Sequence, residues 1–133
     1  MPTLSRPLRK VDPGQEVVVF ASRLALQRRR DVPGFLADTL QIRKQLDRLI
    51  ADPEEGLRWY ALRTDLAANV FWTTSVWRDD EALRAFVIAE PHAAIMRKRR
   101  RTLGGFETVR WTASGFEVPV THAQTVERLT SLA

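Results

Sequence analysis

The stretch from Asn69 to Met96 constrains the fold more than any other, because its residue pattern changes period part-way and so predicts a strand running into a helix. From Asn69 to Trp77 the side chains are mostly aromatic, β-branched or hydroxyl-bearing, which suits a pleated strand. Asp79 can then cap a helix by accepting a backbone N–H bond. Asp80 and Glu81 follow in a first turn where negative charge complements the helix dipole. Leu83, Phe86 and Val87 continue at helical spacing. Pro91 disfavours helical geometry at Glu90, so a break is expected there before Ala93 to Arg101 resume a helical pattern. His92 sits at that break, where a side chain has room to face a cavity.

The remaining elements follow from the same arithmetic. Residues 1–15, with Pro2, Pro7, Pro13 and Gly14, read as an extended lead-in without chemistry, and 16–133 as one domain. Glu16 to Leu24 is β-branched and apolar enough for a strand buried on both faces. Arg23 is the one charge well inside it: facing a cavity it is a candidate anion clamp, at a strand end it is solvated. Pro33 suits a first helical turn, and Phe35, Leu36, Leu40, Ile42, Leu46, Leu49 and Ile50 form the apolar stripe of a first helix. Asp52 to Gly56 supplies a stop and a turn.

Leu57 to Thr64 alternates as a second strand, with Leu57, Trp59 and Ala61 predicted on one face and Arg58, Tyr60 and Leu62 on the other. The short connection Asp65 to Asn69 joins it to the Asn69–Trp77 strand as a hairpin. Gly104 and Gly105 are expected to break the chain before a fourth strand, Glu107 to Thr112. Thr121 and Gln124 have the spacing of a capping box and open a terminal helix through Val126 and Leu129.

The order is strand, helix, strand, strand, helix, strand, helix. This predicts an α+β chain with the split βαβ arrangement of a ferredoxin-like sandwich, β-α-β-β-α-β plus a C-terminal helix. Two helices cover one face of a four-stranded sheet. Trp59, Phe71, Trp72, Trp77 and Trp111 suggest apolar surface on both, so a second copy of the chain is the expected cover, giving a homodimer.

Composition narrows the chemistry. A length of 133 residues with 44% hydrophobic content is enough for one core. There is no cysteine, so neither disulfides nor thiolate chemistry is available. No apolar run resembles a signal or a membrane span, and a cytoplasmic protein is the expectation. The net charge of +5 concentrates at Arg28 to Arg30 and Arg97 to Arg101. Such clusters can meet phosphates, but a solvated helix end accounts for the second, and neither carries stacking aromatics beside it. Nucleic-acid binding therefore ranks last among the functions considered. Two histidines without cysteine do not make a zinc or iron ligand set, so no metal is expected. Ser75 and Ser114 lack a nucleophile-elbow setting, and Gly104-Gly105 stands alone rather than in a phosphate-cradling loop.

Trp77 closing a strand, the acidic helix start Asp79 to Glu81, the mid-helix Phe86 and the Pro91-His92 pair together resemble the antibiotic-biosynthesis-monooxygenase-like proteins of the dimeric α/β-barrel superfamily. Uncharacterised branches of that superfamily are the most similar, sharing a Phe-Trp-Thr-x-Ser-x-Trp strand (Phe71 to Trp77), a Leu-Arg-Ala-Phe-Val helix (Leu83 to Val87) and a Trp-bearing last strand (Trp111) before a short helix. The resemblance covers about Glu16 to Leu132. It implies a dimeric α/β barrel with a cavity between sheet and helices, and oxygen chemistry on a small aromatic or polyketide-like substrate without metal, flavin or other cofactor. Trp59, Trp72, Trp77 and Phe86 are then candidates to line the pocket, with His92 as catalytic base or hydrogen-bond donor. As plain core residues the tryptophans need no such role. Haem-degrading relatives carry a Trp and a His ten residues apart on the second helix, where this chain has Phe86 and Met96, so haem degradation is disfavoured. The alternative function is a non-catalytic dimer that binds a small ligand or is purely structural.

Overall fold

The computed structural model describes residues 3–5, 14–52, 54–115 and 120–130. The elements are β1 (Thr3–Ser5), β2 (Glu16–Leu26), α1 (Val32–Ala51), β3 (Leu57–Asp65), β4 (Val70–Trp77), α2 (Asp80–Ile88), α3 (His92–Arg99), β5 (Leu103–Ser114) and α4 (His122–Thr130). Among the described residues the sheet has five strands in the order β1-β3-β4-β2-β5, and every neighbouring pair is antiparallel. Leaving β1 aside, this is the ferredoxin-like α+β arrangement that the sequence predicts. Thr3–Ser5 adds an edge strand beside β3, so this part of the lead-in joins the sheet.

β2 lies between β4 and β5, and its composition explains that central place. Val17, Val19 and Ala21 are fully buried on one face, while Val18, Leu24 and Leu26 are buried on the other. The second set packs with Leu46 and Phe35 of α1 and with Tyr60, Leu62, Phe71 and Trp77 of the neighbouring strands, forming the layer between sheet and helices. The first set meets Trp59, Val76, Ala113 and Val120 on the opposite face. That face is covered in part by the chain's own α4, through buried Thr125 and Leu129. The Thr125 hydroxyl is 2.7 Å from that of Thr74 on β4.

Local signals hold where their chemistry is local. Asp79 caps α2, its carboxylate accepting from the Ala82 N–H at 2.9 Å. Thr121 and Gln124 make the reciprocal bonds of a capping box, at 3.1 and 2.8 Å. The β3–β4 hairpin turns at Asn69, whose φ of 56° is a left-handed conformation that asparagine tolerates. Gly56 admits the close approach of α2, because a Cβ there would stand 2.2 Å from that of Ala82.

Three expectations are corrected. β5 does not start after the paired glycines but runs through them, Gly105 pairing with Ala25, because ladder bonds use backbone and not side chains. An irregularity between Leu57 and Trp59 shifts the register, so Leu57 packs with Tyr60 and Leu62 rather than sharing a face with Trp59. Leu40, placed in the apolar stripe of α1, is 51% exposed. Among the described residues no helix is long and apolar enough to cross a membrane.

Candidate functional site

A cavity of about 530 Å³ lies between the sheet and its covering helices. Strand parity decides which side chains reach it. Phe20, Ser22 and Leu24 of β2 share a face with Phe71, Thr73 and Ser75 of β4 and with Tyr60 and Leu62 of β3, and these form the floor. Thr39 and Ile42 of α1, Phe86 and Val87 of α2, and His92 and Met96 of α3 form the roof. Several hydroxyls interrupt this apolar surround, and two of them, Ser22 and Thr73, opposite each other across β2 and β4, are bonded at 2.5 Å. The Tyr60 hydroxyl donates to Asp47 of α1.

His92 opens α3 directly after the Glu90-Pro91 break, which turns the chain back so that the imidazole packs 4.7 Å from the Phe86 ring. Its Nδ1 lies 3.1 Å from the Val87 carbonyl oxygen. A carbonyl only accepts, so Nδ1 carries the proton and Nε2 keeps its lone pair. Burial pushes the imidazole pKa down, opposed by the bond to Val87. The ring is therefore neutral at pH 7 and able to take a proton.

The other sequence candidates divide by parity. Phe86 is in the cavity wall beside His92. Trp77 stays behind that wall, 1% exposed, with its ring 5.3 Å from Phe86 and its Nε1 donating to Ser75 Oγ at 2.8 Å. Trp72 borders the cavity, but it alternates with Phe71 and Thr73, which sends its ring to the α4 face, 5.1 Å from His122. Trp59 is core on that same α4 face. Arg23 is there too, 5.5 Å over Trp72 and 3.6 Å from Glu107. The pocket role of Trp59 and the cavity clamp of Arg23 are thus both corrected by a one-residue difference in parity. What the sequence reading missed is the hydroxyl pair Ser22–Thr73 and the Tyr60 ring; the available signal was a polar residue at a helix-facing position of two buried strands.

The basic run after Met96 has structural partners. Arg99 Nε donates to Asp38 at 2.6 Å and Lys98 Nζ at 3.1 Å, while Arg97 meets Glu90 at 3.2 Å. Asp38 is 4% exposed on α1, so this clamp fixes α3, and with it His92, over the cavity. Among the described residues no three His, Asp or Glu side chains gather as a metal site.

Comparison with solved structures places the fold among monooxygenase-like proteins. The cofactor-independent oxygenase SnoaB from Streptomyces nogalater aligns with a TM-score of 0.51 at 21% identity, over 78% of this chain and 98% of that one. An antibiotic-biosynthesis-monooxygenase-like protein from Nitrosomonas europaea aligns with a TM-score of 0.59 at 11% identity, over 81% and 96%. A monooxygenase-like protein from Fusobacterium nucleatum gives a TM-score of 0.63 at 12% identity, over 84% of this chain and 50% of that one. The chain thus spans about half the length of that protein, and likewise of a similar one from Lactobacillus acidophilus. At such identities the likeness shows the fold. No curated protein matches in sequence. The model of one family, described as a domain of unknown function (DUF3291), matches residues 26–133, and the chain belongs to that family.

Proposed function

We propose that the cavity binds a small aromatic or polyketide-like molecule and that the protein oxidises it with dioxygen, using neither metal nor flavin, as a homodimer. The observation that carries this reading is His92: a neutral imidazole in the wall of an apolar cavity, with Nδ1 committed to Val87 and Nε2 free to accept a proton. The cavity volume suits a ligand of a few fused rings. The SnoaB likeness supports the reaction class through the fold it shares.

In this reading the substrate presents an acidic ring CH2 beside a carbonyl, as in an anthrone or the keto tautomer of a phenol. His92 Nε2 takes the proton, and the ring carbanion gives its electrons to dioxygen, forming a carbon–oxygen bond and a peroxide. The peroxide oxygen–oxygen bond then breaks as a second hydrogen leaves the same carbon. The carbon ends as a carbonyl, and the outer oxygen leaves as water with both hydrogens. All four electrons that reduce dioxygen to the carbonyl oxygen and water come from the substrate carbon, so no external reductant is required. The apolar walls exclude water from the carbanion, and the Ser22–Thr73 hydroxyls offer a polar anchor on the floor.

Oxygen uptake with anthrone-type and dihydroxynaphthalene substrates tests the proposal. Turnover is expected in the native protein and to fall about 10²-fold or more in His92→Ala, with the fold retained. A ligand that binds equally well to both proteins without oxygen uptake favours the binding-only alternative. Support for assembly comes from β5, a twelve-residue edge strand. Its Phe106 is 48% exposed, and the nearby Ile88 is 76% exposed. A long edge, unpaired among the described residues and beside apolar side chains, is a surface that a second copy can cover.

A further inference from the structure

The hydroxyls that line the cavity are not equally free. Thr39 Oγ1 donates to the Phe35 carbonyl of its own helix at 2.8 Å, Tyr60 donates to Asp47, and Ser75 Oγ accepts from Trp77 while donating to the Phe20 carbonyl at 3.4 Å. These three are occupied. Among the described residues Ser22 and Thr73 are bonded through their side chains only to each other. Two hydroxyls carry two hydrogens and the bond between them uses one, so whichever oxygen accepts keeps an undonated O–H of its own.

Register sets that spare donor on the floor of the cavity. Ser22 and Thr73 stand opposite each other on β2 and β4, with Leu62 next in the row on β3 and apolar Leu24 and Phe71 two residues away on the same face. A cross-strand hydroxyl bond is an ordinary contributor to sheet stability. It does not account for the second hydrogen, which is left half-buried in an apolar surround where an unmade hydrogen bond is unfavourable. Thr64 is unbonded as well, but its neighbour on β4 is Phe71, so no second hydroxyl polarises it. Thr108, beside Ser22 on β5, is exposed on the edge strand proposed to face a second copy. The two arginines that border the chamber are directed elsewhere: Arg97 meets Glu90 at 3.2 Å, and Arg63 alternates onto the α4 face, where its charge reaches His122.

We propose that the Ser22–Thr73 pair is the hydrogen-bond donor to the substrate's carbonyl oxygen and stabilises the enolate formed when His92 takes the ring proton. This rests on the reading of the chamber given above and names the group in it that meets the oxygen. His92 stands in the roof and the pair on the floor, so a molecule that fills the cavity meets both. As the proton leaves carbon, the C–H electron pair moves through the conjugated ring to oxygen, and the charge arrives on the atom that the spare O–H contacts. Donation within the pair polarises the accepting hydroxyl and makes it a stronger donor than a lone serine. No proton passes to or from the pair. The ligand class is thereby narrowed to ring ketones and phenols, whose oxygen accepts in both neutral and ionised forms.

An indicator probe, 4-nitro-1-naphthol, tests this on the full chain, because its absorbance reports its own ionisation and its phenolate oxygen stands in for the enolate. In the Ser22→Ala/Thr73→Val double variant the bound phenol is expected to ionise about one pH unit higher than in the native protein. Removing both partners together leaves no orphaned group, so the fold is expected to persist. The isosteric Thr73→Val alone should give part of the shift, and Thr73→Ser, which keeps the hydroxyl, should match the native value. Anthrone-dependent oxygen uptake is expected to fall about 10²-fold in the double variant. If the bound phenol ionises at the same pH in all four proteins, the donor role is overturned while the chamber stands. If the shift appears but none of them consumes oxygen, the pair is a donor to a bound ligand's oxygen and the oxygenase reading alone fails. If the probe does not bind the native chain, the small-molecule reading fails, and this inference with it.

Discussion

Arg99 Nε of α3 lies 2.6 Å from the Asp38 carboxylate of α1, and this pair joins two helices that approach the cavity from different parts of the chain. Asp38 is 4% exposed, and the Arg99 side chain 15%, so water does little of the screening that makes surface pairs weak. Asp38→Ala leaves the Arg99 guanidinium without its carboxylate in a confined place. A loss of about 3 kcal/mol in urea unfolding is expected. Because α3 carries His92, probe affinity in the cavity should fall in this variant even at temperatures where it is folded. Unchanged stability would show that the clamp does not hold α3.

Gly56 makes a steric prediction. A Cβ there meets that of Ala82 at 2.2 Å, and neither backbone is a flexible side-chain end that can move aside cheaply. Gly56→Ala is expected to cost about 2 kcal/mol or more. Ala82→Gly in the same chain removes the clash and should recover part of that loss, less the cost of a glycine inside a helix, about 1 kcal/mol. A single Gly56→Ala protein with native stability would mean that β3 and α2 do not approach as described.

The pH dependence of His92 has a definite sign. Its folded pKa is pushed below the ordinary 6.5, chiefly by burial, so below pH 6.5 the unfolded chain binds a proton that the folded one refuses. Stability is then level above about pH 7.5 and falls as pH drops from 6.5 toward the lower folded value. His122, also lowered by burial and by the charge of Arg63, contributes in the same direction. His92→Asn should make the acid limb shallower, and the residual slope should include the His122 contribution. In a turnover assay, the acid limb of kcat/KM should have an apparent pKa below 6.5. A limb above 6.5 would assign the base to some other group.

Assembly is the fourth prediction. Static light scattering at micromolar concentration is expected to give about twice the 15.2 kDa of the chain. A monomer would remove the barrel arrangement. It would leave the cavity, whose floor and roof both come from one chain.

The sequence by itself determined the order of elements from β2 onward and the ends of several of them, because caps, turns and hydrophobic period act over a few residues. Asp79, Thr121 with Gln124, Pro33 and the apolar, β-branched run of β2 needed no distant partner to be read. It also singled out His92, since a proline break is a local event that leaves the next side chain at a helix start. What it did not determine was facing. Two residues adjacent in a strand differ by a half-turn, so whether Phe71 or Trp72 meets the cavity depends on which face α1 and α2 cover. That choice is made by the packing of the whole sheet. Aromatic size drew attention to Trp59 and Trp72, yet the covered face gave the cavity Phe71, Tyr60 and the Ser22–Thr73 pair. Likewise the role of Asp38 follows from contacts between segments tens of residues apart. Such contacts leave no periodic trace in a single chain, and only the tertiary structure decided them.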